Sequence, residues 1–341
     1  MQADEPLARS RTICFFSRLK VRDEINYVAY YLDDLRILRE LGHRVHVATR
    51  AHELRPADLY FVWWWTWGFQ AVAFARLLGR PTIVTGALHA HEFVERPLIE
   101  RRLIEYSFAH ASANVFVSES EMRSCLEVLD VNNPSCIPHC VDTGRYASDT
   151  RPRDDRLIVC IAKMTEANGR RKCIPELLEA FRDVLGVIPD ARLVIAGEQL
   201  DGYSIFRAMA AKLGIDHAVG FVGVVSEAEK IRLLQRCAVY AQPTRFEGFG
   251  VAILEAMSCG AAVLTSAVGA VPEVVGESAE IVVGESPSSI AAGVLRLLND
   301  PDRRTELGRL GRSRAVAAFS YDQRKARLSR VIDDVLSRTV S

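Results

Sequence analysis

The stretch AVYAQPTRFEGFGVAILEAMSCGAAVLT, residues 238–265, reads as strand, glycine turn, helix and strand in immediate succession. Ala238–Ala241 and Ala262–Thr265 are short apolar runs of the kind that form buried strands, and Val251–Ser258 has helical composition between them. A strand that returns through a helix to a second strand builds a parallel pair. Two carboxylates fall inside this unit. Glu247 sits in the turn beside Gly248 and Gly250, and Glu255 lies about one and a half turns into the helix, where a purely structural helix would place an apolar side chain.

The same alternation extends outward in both directions. Thr12–Phe16, Val45–Ala48, Leu59–Trp64, Thr82–Val84 and Asn114–Val117 are predicted strands of a first half, with Tyr27–Leu41 as a helix stopped by Gly42. In the second half, Leu157–Ala162, Arg192–Ala196, Gly220–Val222 and Glu280–Val283 are predicted strands. Ile174–Leu185, Glu227–Cys237 and Ser288–Leu298 are predicted helices. The polar segment YASDTRPRDDR, residues 146–156, reads as the joint between them. The expected organisation is therefore a Rossmann-like domain over 1–145, a linker over 146–156 and a second Rossmann-like domain over 157–320. A closing helical segment over 321–341 is expected to pack back on the first domain. The fold class is α/β, two doubly wound units facing a central cleft, with ligands expected at the carboxyl ends of the strands.

Composition narrows the function. The 341 residues carry 43 basic and 43 acidic side chains, so no net field draws the chain to nucleic acid. The eight cysteines form no CxxC pair, which favours free thiols in a reducing compartment, and no metal site is expected. Residues 1–10 are polar and lack the apolar core of a secretory leader, so a cytoplasmic location is expected, with peripheral contact on the cytosolic face of a membrane as a further option. The uncharged run Leu59–Ala75 is short for a membrane span and is interrupted by Gly68, so strand, turn and helix is the better reading.

The chemistry concentrates around residues 245–260. Gly248, Phe249 and Gly250 let the main chain approach a ligand, and the helix that begins there offers unpaired N–H groups to an anion. A carboxylate such as Glu255 can accept two hydroxyl protons at once, which suits the diol of a ribose. The bland alternative makes Glu247 and Glu255 ordinary helix charges. GxGxxG is absent after the first strand, GxxxxGK is absent throughout, and Asp300-Pro301-Asp302 falls where Asp is an ordinary helix cap.

At this level of detail the sequence resembles family 4 of the retaining glycosyltransferases. PTRFEGFGVAILEAMSCGAAVLTSAVGAVPEVV is similar to the family's E-x7-E region, and LVIAGEQLDGYSIFRAMAAKLGIDHAVGFVGVV to the stretch before it. IPHCVDTGRY and RKCIPELLEAF resemble its hinge and the helix of its second domain. LRELGHRVHVATR, PTIVTGALHAHEF and VFVSES match more loosely in the first half. The resemblance implies the GT-B fold and transfer of a sugar, with retention and without a metal or other cofactor, from a nucleotide-diphosphate donor of UDP, GDP or ADP type. The acceptor would be a hydroxyl on a glycan, a lipid-linked or a small molecule. It also implies roles. Lys163 and Lys172 would neutralise the leaving diphosphate, with Arg171 as a rival second cation. Glu247 would anchor the sugar, His89 would face it, and Glu255, Val224 and Glu273 would complete the donor site.

Acceptor contact is expected from Trp65, Trp67 or His91 at the end of the tryptophan-rich strand, the remaining tryptophans filling the core. RPLIERRLIEY, residues 96–106, is a basic amphipathic stretch, read as a surface helix with membrane contact as the alternative. The sequence departs from the family after the first strand, where FFSRLKVRDEINY contains no glycine. Two other functions stay open: a sugar-nucleotide epimerase or hydrolase of the same fold, and a catalytically silent glycan-binding or partner protein.

Overall fold

The structure, a computed structural model, describes residues 10–338 apart from Lys20, Tyr27 and His89, and apart from the side chains of His91 and Glu92. The chain forms two compact units, Met1–Cys140 with Tyr321–Ser341, and Val141–Ser320.

The first unit is built on six parallel strands, β1 (Thr12–Ser17), β2 (Arg44–Ala48), β3 (Leu59–Trp63), β4 (Thr82–Gly86), β5 (Ala113–Phe116) and β6 (Pro134–Cys136), in the order β2-β1-β3-β4-β5-β6. Their near-continuous apolar sequences follow from burial on both faces. Ile13 and Phe15 of β1, with Leu59, Phe61 and Trp63 of β3, enter one core cluster together with Leu35 and Leu38 of the helix Ala29–Glu40. Cys14 and Phe16, with Tyr60 and Val62, enter a second cluster on the opposite face with Ile104 and Phe108. The two-residue period of a strand thus feeds two cores at once.

The helix Tyr321–Ser337 belongs to this unit, as the sequence suggested. Leu328, Ile332 and Val335 join the first core, and Arg324 is fixed on Asp34 through Nε–Oδ1 at 2.7 Å and Nη2–Oδ2 at 2.9 Å.

The second unit repeats the architecture with β7 (Asp154–Ile161), β8 (Arg192–Ala196), β9 (Val219–Gly223), β10 (Cys237–Gln242), β11 (Ala262–Thr265) and β12 (Ala279–Ile281), in the order β12-β11-β10-β7-β8-β9. All its pairings are parallel. One core cluster joins β7, β8, β10 and β11 to the helices Ile174–Val187 and Pro287–Asn299.

Segment 146–156 is not a free joint. Tyr146 is buried, β7 already begins at Asp154, and Arg153 donates to the carbonyls of Leu234, Cys237 and Cys259 at 2.7–3.1 Å. Its polarity reflects side chains that tie it to the second unit, which starts at Val141. The eight cysteines are free thiols.

Candidate functional site

The glycine turn and the helix after it lie where the sequence put them. The helix runs Val251–Ser258, and its N-cap Gly250 has φ 94°, a left-handed conformation that leaves no room for strain-free substitution. Its first-turn N–H groups have no side-chain cap. Gly269, at φ 54°, packs on the Glu247 main chain. A Cβ there would lie 2.2 Å from the Glu247 carbonyl oxygen, so glycine is required for Ala270 N to donate to that oxygen at 3.1 Å.

Around the Glu247 side chain three donors converge on one oxygen. Oε2 accepts from Arg171 Nη1 at 3.2 Å and from Gln242 Nε2 at 3.1 Å, and lies 4.0 Å from Lys172 Nζ. Lys172 is only 11% exposed and is also held by Gln242 Oε1 at 3.1 Å, which in turn accepts from the Tyr240 hydroxyl at 2.6 Å. Burial lowers the Lys172 pKa, and the Glu247 carboxylate opposes that shift. Arg171 is oriented by Asn168 Oδ1 at 2.8 Å and the Phe246 carbonyl at 2.6 Å. Both rival cations therefore reach the same carboxylate, Lys172 from a buried position and Arg171 from a more open one. The short helix Glu166–Arg171, capped by Thr165, delivers them from the carboxyl end of β7.

Glu255 lies on the helix Val251–Ser258, on the side that faces Tyr146 and Lys230. Its side chain is buried and already held, Oε1 accepting from Lys230 Nζ at 2.8 Å and from the Tyr146 hydroxyl at 2.9 Å. Tyr146 also donates to Glu227, which pairs with Lys230 at 3.2 Å. Burial raises the Glu255 pKa and Lys230 pulls it back. Sequence reasoning missed Tyr146, Glu227, Lys230 and Gln242. Gln242 alone left a trace, as a polar residue ending an otherwise apolar strand.

Lys163 is 59% exposed and pairs with Glu198 at 2.9 Å. Phe249 turns its ring inward, edge-on to Phe319, so only its main chain can face a ligand. Val224 follows β9 and is 76% exposed. Glu273 sits on the short helix Val271–Val275, where its carbonyl accepts from Arg314 Nη2 at 2.7 Å. Asp300 caps the helix Pro301–Phe319 through the Arg303 N–H at 2.8 Å, as read from the sequence.

In the first unit, His89 lies outside the described residues, as does the side chain of His91. Trp65 must be removed from the acceptor residues. β3 ends at Trp63, Trp64 turns the chain at φ 73°, and Trp65 opens the helix Trp65–Leu77 fully buried, its Nε1 donating to Asn114 Oδ1 at 2.8 Å and its ring stacked on Phe108. Trp67 is 40% exposed with the Arg18 guanidinium 3.8 Å above its ring. The 96–106 stretch enters the helix Leu98–His110, whose Leu98 and Ile99 are exposed.

Residues 148–314 match the family model of glycosyl transferases group 1. The second unit carries that match over most of its length. Two curated relatives share about half their length with the chain. One is the GDP-mannose-dependent monoacylated α-(1-6)-phosphatidylinositol monomannoside mannosyltransferase of Corynebacterium glutamicum, 28% identical over 54% of this chain and 48% of its own. The other is the MMP α-(1→4)-mannosyltransferase of Mycolicibacterium hassiacum, 31% identical over 60% and 49%. Among solved structures, sucrose-phosphate synthase of Thermosynechococcus elongatus superposes with TM-score 0.81 at 16% identity, covering 96% of this chain and 100% of that one. HepE of Anabaena, solved with UDP and glucose, gives 0.76 at 16%, covering 94% and 99%. The fold is therefore GT-B, and the glycosyl transferase group 1 match spans Glu247, Glu255, Arg171 and Lys172.

Proposed function

We propose that this chain is a retaining glycosyltransferase that moves a sugar from a nucleotide-diphosphate donor to an acceptor hydroxyl, with the donor held by the second unit and no metal required. The observation that carries this reading is the convergence of a buried lysine and an arginine, Lys172 and Arg171, on Glu247 beside an uncapped helix start. A leaving diphosphate gains negative charge as the sugar departs, and two fixed cations with helix N–H groups stabilise that charge without reorganisation. Arriving phosphate oxygens would draw Lys172 and Arg171 from Glu247, releasing its carboxylate to the donor sugar's hydroxyls. The unassigned oxygen of Glu255 is the acceptor for the ribose diol, with Tyr146 and Lys230 fixing the other oxygen.

GDP-mannose is the first donor to test, because the Corynebacterium glutamicum relative is named for it, and its phosphatidylinositol-linked substrate makes a lipid-linked glycan the first acceptor class. Among the described residues no helix is long and apolar enough to cross a membrane. The test is nucleoside diphosphate release from GDP-, UDP- and ADP-sugars in the presence of a chelator. Release that survives chelation and is lost in Lys172→Ala supports the reading. Absence of both release and nucleotide binding across the panel would sink it.

A further inference from the structure

The amino ends of the second sheet, remote in sequence from the glycine turn, hold a cavity of about 660 Å³. Asp155 of β7, Ala238 of β10 and Ala262, the first residue of β11, mark its place. The helix Pro301–Phe319 supplies one wall and segment 148–155 the other. Four arginines line the cavity, Arg153, Arg304, Arg309 and Arg312, against two aspartates, Asp149 and Asp155.

Most of these charges are already matched. Arg304 pairs with Asp155, Arg309 with Glu306 at 2.9 Å, and Asp149 with Arg151 at 2.5 Å. Arg153 and Arg312 are not. Among the described residues Arg153 donates to main-chain carbonyls, those of Leu234, Cys237 and Cys259. Arg312 uses Nη1 for the carbonyls of Tyr146 and Ser258, each at 2.8 Å, and for Ser258 Oγ at 3.0 Å. Among the described residues neither guanidinium forms an ion pair with a carboxylate.

Two cations taken partly out of water and bonded to no carboxylate, with Asp149 offering Arg153 only a through-space charge, are unfavourable, and a dianion bound to them would relieve that cost. A guanidinium has five donors in a fixed fork, so Arg312 keeps Nε and Nη2 for a phosphate after its Nη1 bonds are made. Ser148, Thr150 and Thr305 add hydroxyl-bearing side chains to the lining, and the volume falls within the roughly 300–1,000 Å³ of small-molecule sites.

We propose that this cavity binds a phosphorylated sugar, its phosphate on Arg312 and Arg153 and its hydroxyls against the Ser148, Thr150 and Thr305 side chains. The site is connected to the glycosyl transferase machinery by one residue. Arg312 holds the Tyr146 carbonyl, and the Tyr146 hydroxyl holds Glu255 at 2.9 Å. On the proposed coupling, binding at one end changes nucleotide affinity at the other, and reciprocally. This last clause rests on the donor-site reading; the binding site itself does not.

The test is calorimetric titration of the full chain with glucose 6-phosphate, glucose and inorganic phosphate, on the wild type and on Thr305→Glu, Arg312→Lys and Lys172→Ala. Thr305 is exposed on its helix, so Thr305→Glu adds a carboxylate to the cavity without disturbing packing. The expected result is one saturable site for glucose 6-phosphate, tighter than for phosphate and absent for glucose. Affinity should fall at least about ten-fold in Thr305→Glu and Arg312→Lys, and stay unchanged in Lys172→Ala. No saturable binding, binding indifferent to Thr305→Glu, or phosphate binding as tight as glucose 6-phosphate overturns the proposal. So does loss of binding in Lys172→Ala, which would move the ligand to the glycine-turn site. Nucleotide binding by the same wild-type sample reports on the donor reading separately.

Discussion

Asp34 in the first unit and Glu247 in the second are both carboxylates facing arginine, and they are finished to different degrees. Both oxygens of Asp34 are taken by Arg324, whose remaining Nη1 is satisfied by the Ile137 and Pro138 carbonyls at 2.9 and 2.7 Å, and the pair is 0% and 2% exposed. Glu247 gathers Arg171, Lys172 and Gln242 onto a single oxygen, with two cations sharing one negative charge. A saturated pair has nothing left to offer a ligand and serves as scaffold. A surplus of positive charge at the end of a parallel sheet is a place for an anion. Saturation, more than burial, separates the two.

The largest effect should come from opening the saturated pair. Arg324→Met leaves Asp34 buried and alone, and should cost roughly 3–5 kcal/mol in urea unfolding. Adding Asp34→Leu should recover most of that loss, because the surrounding core is apolar; no recovery would mean that the carbonyl bonds of Arg324 matter more than the ion pair. Lys172→Ala should instead leave the unfolding midpoint nearly unchanged while lowering nucleoside diphosphate release by about 10²–10³-fold. If it unfolds the protein as Arg324→Met does, the contrast between scaffold and site fails.

Tyr146→Phe removes one bond to Glu255 and should weaken nucleotide binding roughly ten-fold, as for loss of a hydrogen bond to a charged group. Calorimetry with the nucleoside diphosphate of the active donor would measure it.

The last effect concerns Asp33, next to the saturated pair. Burial, with the Asp34 charge, pushes its carboxyl up to about 7, against the pull of Arg324. The folded state then holds a proton that the unfolded chain has released, so this group favours folding at the low end of the range from about 4 to 7. That contribution is lost as pH rises through it. The unfolding midpoint of wild type should fall between pH 5 and pH 8, and Asp33→Asn should fall less. Equal slopes would show that Asp33 titrates normally.

The sequence conveyed the sheets well, because parallel strands covered on both sides are written as unbroken apolar runs. Arg192–Ala196 and Ala262–Thr265 were read to the residue. β6 escaped because Pro134–Cys136 is a three-residue strand with a proline and a serine. Trp65 was misplaced by a single residue of strand length, since the turn at Trp64 sends the next ring into the core rather than outward. In the candidate site, Glu247 and the glycines stood out as a local pattern, whereas Arg171 and Lys172 were named only through the family resemblance, and the structure brings both beside Glu247. The partners of Glu255 were not legible. Tyr146 lies 109 residues away inside a segment whose polarity suggested a linker, and only folding brings the two together.

The second unit begins and ends at the same spot. Val141 and Ser320 form a β-bridge, and the Val141 N–H donates to the Phe319 carbonyl at 2.9 Å. The second unit is thus an insert whose two stems are stapled together, and it can be lifted out as one uninterrupted gene fragment. The host left behind would need only a short glycine-serine bridge from Cys140 to Tyr321 to recover its closing helix. Each half could then be produced alone, and a nucleotide titrated against the insert would show whether it is sufficient to recognise its donor.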